Sequence, residues 1–143
     1  MSPSKRLKPV QRIALDREQK AARQMGRAHQ TLQQEEQKLH QLKQYQQEYL
    51  ERYQRAARQG MSASQLQEYR AFLAKLDGAI EQQRAAVEER LLAHSTSKQS
   101  WRQTHTRSQA LDKVADRYRQ RERQESERKE QKESDDRGQR TEE

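Results

Sequence analysis

Two stretches of this chain carry apolar residues spaced alternately three and four apart. In the first, the heptad a and d positions fall at Met25, Ala28, Leu32, Glu35, Leu39, Leu42, Gln46, Tyr49, Tyr53 and Ala56. Eight of those ten are apolar. In the second they fall at Leu66, Tyr69, Leu73, Leu76, Ile80, Gln83 and Val87, where six of seven are apolar. Spacing sustained over this length predicts a coiled-coil seam rather than an isolated amphipathic helix. Between the stretches lies Arg58-Gln59-Gly60-Met61-Ser62-Ala63-Ser64. Gly60 suits the left-handed residue that ends a helix, and Ser62 with Gln65, or Ser64 with Gln67, offers a capping box for the next one. A short turn between long helices makes them antiparallel neighbours. Facing seam positions then sum to about 122, which sets Tyr53 against Tyr69, Leu42 against Ile80 and Leu39 against Gln83.

The pattern fixes boundaries as well. Both prolines lie within the first nine residues, so residues 1–9 read as a flexible N-terminus and helix begins near Val10. The hairpin occupies residues 10–125, with its turn at 59–64. Beyond Val87 the seam weakens, reading Arg90, His94, Ser97, Trp101, Thr104 and Ser108. The end far from the turn is therefore expected to pack loosely, with Trp101 either a seam residue or a docking anchor. Residues 126–143 are almost devoid of apolar content and read as a charged tail that frays into disorder. The fold class is all-α: a long two-helix antiparallel coiled-coil hairpin with a frayed or disordered C-terminal tail.

Composition agrees and narrows the function. Only 29% of the 143 residues are apolar against 36% charged, and 24 are glutamine. That is too little apolar material for a compact enzyme core. With no cysteine, disulfides, thiolate metal sites and cysteine nucleophiles are excluded. No phosphate-cradling glycine loop exists, since the four glycines stand alone. The four histidines contain no i, i+4 pair, and the carboxylates lie in exposed helical sequence where nothing would shift a pKa for acid–base work. No catalytic, cofactor or metal site is expected. No apolar run is long enough to span a bilayer, and no signal-peptide core precedes the helices, which points to a cytoplasmic or peripheral protein.

What remains is surfaces. The net charge of +8 is concentrated between Lys5 and Arg27, where eight basic residues meet only Asp16 and Glu18. Arg12, Arg17, Lys20, Arg23 and Arg27 form a candidate site for an acidic partner, or simply a solvated face. A nucleic-acid role is disfavoured, because no dimeric zipper with forking basic arms is visible. On the hairpin, the e positions offer the pairs Glu36–Arg84 and Lys43–Asp77. The g edge instead presents Tyr45 and Phe72 with Ala79, Ala86 and Ala93. An aromatic pair on the edge of so polar a chain is either a docking surface or a widened seam.

Leu42-x-x-Tyr45-Gln46-x-x-Tyr49, the Gly60–Ser64 turn, Tyr69-x-x-Phe72-Leu73-x-x-Leu76-x-x-Ala79-Ile80-x-x-Gln83 and then Trp101 resemble the flagellar export protein FliJ family. The resemblance covers about residues 10–120. It implies a cytoplasmic stalk-like hairpin, monomeric when free and peripheral at the inner face of the cell membrane. Its implied partners are the hexameric flagellar export ATPase, whose assembly and activity such proteins promote, the membrane export gate and the export chaperones. The family's gate-binding patch corresponds to Leu42, Tyr45, Tyr49, Phe72, Leu76, Ala79 and Gln83, with Lys38 at its edge. The basic set Arg12, Arg17, Lys20, Arg23 and Arg27 then becomes the expected ring contact. The stalk proteins of virulence type III secretion systems are the nearest alternative. A generic structural or nucleic-acid-associated coiled coil is the alternative from another class.

Overall fold

The computed structural model describes residues 1–142 and forms two α-helices, α1 (Pro3–Gln59) and α2 (Ala63–Glu142), packed as an antiparallel hairpin. The turn is the one the sequence encodes. Gly60 takes φ 99°, and its N–H donates to the Ala57 carbonyl at 3.4 Å. Of the two possible capping boxes, the chain uses Ser62 with Gln65. The Gln65 N–H donates to Ser62 Oγ at 3.2 Å and the Ser62 N–H to Gln65 Oε1 at 3.3 Å. Two otherwise unpaired N–H groups at the start of α2, those of the capping Ser62 and of Gln65, are thereby satisfied by side chains.

The chain divides into two compact units, Arg23–Gln99 and the pair of segments Met1–Ala22 and Ser100–Glu143. In the Arg23–Gln99 unit the core is the apolar seam read from the heptads: Leu32, Leu76 and Ile80 are buried, and the remaining apolar seam residues are half-buried. Tyr53 meets Tyr69 with 5.6 Å between ring centroids, in the expected register. Gln83 departs from it by one turn. Its amide donates to the Glu35 carbonyl oxygen at 2.9 Å and to the Glu35 carboxylate, which holds that carboxyl below its ordinary range. The expected Glu36–Arg84 and Lys43–Asp77 pairs give way to nearer partners. Arg84 lies 3.4 Å from Glu81 on its own helix, and Asp77 accepts from Gln46. Exposed ion pairs gain little over solvation, so local geometry decides.

In the other unit the expectation of loose packing is corrected. Here Ala14 and Ala21 of α1 and Ser108 and Ala115 of α2 are buried, with Ala115 at 0% exposure. Small side chains pack this seam. Because alanine buries little area, polar bridges supplement it. Gln11 Nε2 donates to Asp112 Oδ1 at 2.9 Å, and Glu18 Oε1 lies 2.6 Å from His105 Nδ1. Trp101 is a half-buried seam residue, its ring stacked on His105 at 4.9 Å.

The start of α1 differs from the sequence reading. Helix α1 starts at Pro3 rather than near Val10. Proline suits a first helical position, and the first turn is anchored from across the hairpin: Glu122 accepts from the Ser4 N–H at 3.1 Å and from Ser4 Oγ at 2.7 Å. Helix α2 extends to Glu142. Its good helix formers keep the backbone helical, and from Arg123 to Thr141 every residue is exposed.

Candidate functional site

The aromatic edge lies within the Arg23–Gln99 unit. Tyr45 and Phe72 occupy g positions on facing helices, so the antiparallel register brings them to one edge. Their rings meet edge to face with centroids 6.0 Å apart. Tyr49 sits behind them, 4.4 Å from Phe72 and 6.4 Å from Tyr45. It also reaches Tyr69 at 5.2 Å, and Tyr69 links on to Tyr53. Tyr53 and Tyr69 thus join the cluster, although sequence reasoning placed them only in the seam. Burial among these rings, with the Tyr69 and Tyr45 hydroxyls nearby, pushes the Tyr49 phenol above its ordinary value of 10.0. Tyr49 therefore presents a neutral hydroxyl.

Exposure sorts the expected patch. Tyr45 is 43% exposed and stands clear of the seam. Leu42, Tyr49, Phe72 and Ala79 are half-buried and line the same part of the hairpin. Leu76 is only 6% exposed and is a core residue, so it supports a docking surface without forming one. Gln83 is engaged with Glu35, and Lys38 is drawn to the same carboxylate at 3.6 Å. Phe72 covers the seam through Tyr49, while Tyr45 protrudes.

The basic residues of α1 all lie outside the seam and are exposed. Arg12, Arg17 and Lys20 belong to the unit that includes Met1–Ala22, while Arg23 and Arg27 belong to Arg23–Gln99. Lys20 bridges Asp16 at 3.2 Å. His29 and His94 face one another with ring centroids 5.2 Å apart, as the register places them. Among the described residues no group of three or more His, Cys, Asp or Glu side chains gathers to hold a metal.

A polar cluster that the sequence did not reveal sits between Ala14 and Ala21. The Glu18 carboxylate is hydrogen-bonded by His105 and Ser108, which lowers its pKa from 4.5. A depressed carboxylate stabilises the fold above its unfolded pKa, and that contribution is lost as pH falls through the folded value. The wild-type urea midpoint should therefore drop as pH falls below about 4.5. Glu18→Gln should start lower at neutral pH and show a flatter acid limb. Parallel curves for the two proteins would mean that Glu18 contributes nothing to acid sensitivity.

Among the described residues no helix is long and apolar enough to cross a membrane. A family model described as flagellar FliJ protein matches residues 3–141. Among curated proteins no match is found.

Proposed function

The chain belongs to the flagellar FliJ family, and from that premise we propose that it is the non-enzymatic coupling component between the export ATPase and the membrane export gate. Membership makes it a component of the flagellar type III export apparatus. The finer roles fall to two sets of side chains. The exposed cations Arg12, Arg17, Lys20, Arg23 and Arg27 contact carboxylates of the hexameric ATPase ring and promote its assembly and turnover. The aromatic edge at Tyr45, Tyr49 and Phe72, with Leu42 and Ala79, contacts the gate. Export chaperones are further partners, and the free protein is a monomer at the inner face of the cell membrane.

The observation that carries this reading is the family match over residues 3–141. The test is ATP turnover by the purified cognate export ATPase, titrated with this protein at two salt concentrations. Charge contacts at an exposed surface are screened over about 8 Å at physiological ionic strength, so stimulation should fall as salt rises. Reversing Arg17, Lys20, Arg23 and Arg27 to glutamate should abolish stimulation and leave gate affinity intact. Equal, salt-insensitive stimulation by both proteins would show that these cations serve solubility alone.

A further inference from the structure

In the unit formed by Met1–Ala22 and Ser100–Glu143, carboxylates and arginines are sorted in an unexpected way. Every acid from Pro3 to Lys20 and from Gln103 to Gln124 already has a partner. Asp16 holds Lys20, Glu18 holds His105, Asp112 accepts from Gln11, Asp116 pairs with Arg119 at 3.4 Å, and Glu122 caps Ser4. None of these acids lies at the c and g positions that form one edge of the helix pair. That edge carries Arg6 and Arg17 from α1 and Arg107, Arg117 and Arg121 from α2, all exposed and none in an ion pair among the described residues. Interleaved with them are Val10 at 43% exposure, Ile13 at 55% and Val114 at 37%.

We propose that this edge is a membrane-contact face that binds the headgroups of anionic phospholipids. Clusters of four to eight basic residues attract anionic lipid, and interleaved apolar side chains add burial at the headgroup boundary. The branched side chains of Val10 and Ile13 are exposed, as insertion among headgroups requires. Arg17 and Arg107 come from opposite helices to line a shallow hollow of about 200 Å³, completed by Ala14, Gln103 and Thr104. Two arginines lining one hollow suit a phosphodiester, which accepts paired N–H donors. Lipids diffuse to each cation, so five unpaired arginines need no matching array of carboxylates in fixed register. The proposal goes beyond the coupling role; it shares Arg17 with the proposed ring contact, and the variants that test it leave Arg17 in place.

The test is co-sedimentation of the full chain with vesicles of phosphatidylcholine alone and of phosphatidylcholine with about three-tenths phosphatidylglycerol. Binding should require phosphatidylglycerol and weaken about tenfold or more between low and high salt. Arg107→Glu/Arg117→Glu/Arg121→Glu should lose at least about tenfold in partition. The charge-matched control Arg102→Glu/Arg119→Glu/Arg123→Glu, off this edge, should lose much less. Val10→Ser/Ile13→Ser keeps all charges and should lower partition several-fold; it also reports on the face if the arginine variant fails to fold. Absence of binding to phosphatidylglycerol vesicles overturns the proposal, including the case in which an acidic protein protects the edge instead. Equal loss in the edge and control variants overturns it too, since net charge alone would then account for binding.

Discussion

Ile80→Ala should lower the unfolding free energy by about 2–4 kcal/mol, the largest loss expected from any single truncation in the hairpin. Ile80 is 4% exposed, and with Leu32 and Leu76 it makes up the buried core of the Arg23–Gln99 unit. A globular domain would share such a loss among many core residues. Here so few large side chains are buried that each carries a greater share of a net stability of only about 5–15 kcal/mol. Leu92, 70% exposed, provides the contrast, and Leu92→Ala should shift stability by no more than about 0.5 kcal/mol. Urea titrations followed by far-ultraviolet circular dichroism measure both. Equal losses would mean that helix propensity, not seam burial, holds the hairpin together.

The same contrast explains how much of the fold was legible. From Met25 to Val87 the seam is written in leucine, isoleucine and tyrosine, so its period stands out and predicts both partners and register. The turn is equally legible, because Gly60 and the Ser62–Gln65 box act within a few residues of each other. The far seam is not. Ala14, Ala21, Ser108 and Ala115 occupy the same heptad positions but give almost no contrast in hydropathy, and their burial follows from packing across the hairpin. The start of α1 is harder still, since its anchor lies 118 residues away at Glu122. Without that contact, Pro3 and Pro9 read as breakers.

The candidate docking surface was legible to the same extent as the register. Heptad position placed Tyr45, Phe72 and Ala79 on one edge, and the structure brings the two rings together there. The same positions placed Leu76 and Gln83 in the seam, while the family resemblance placed them on the docking patch. In the structure Leu76 is in the core and Gln83 is tied to Glu35. A matched motif marks a neighbourhood, whereas burial decides which members of it a partner can touch.

Tyr45 is therefore the residue on which the proposed gate contact is best tested. Its ring is 43% exposed and meets Phe72 only edge to face at 6.0 Å, so its removal opens no core. An aromatic anchor at the centre of an interface is worth about 2 kcal/mol or more, which predicts at least about a tenfold loss of gate affinity for Tyr45→Ala. Its melting temperature should hardly change. Phe72→Ala should also lose affinity, and in addition lose about 1–2 kcal/mol of stability, because Tyr49 packs on that ring at 4.4 Å. Phe72→Leu separates the two effects: it refills most of the space against Tyr49 and restores stability, but offers no aromatic edge to a partner. The decisive comparison is gate binding and thermal unfolding for the three variants side by side. If Tyr45→Ala binds the gate like wild type while Phe72→Ala only melts earlier, the cluster is a widened seam and the gate is held elsewhere.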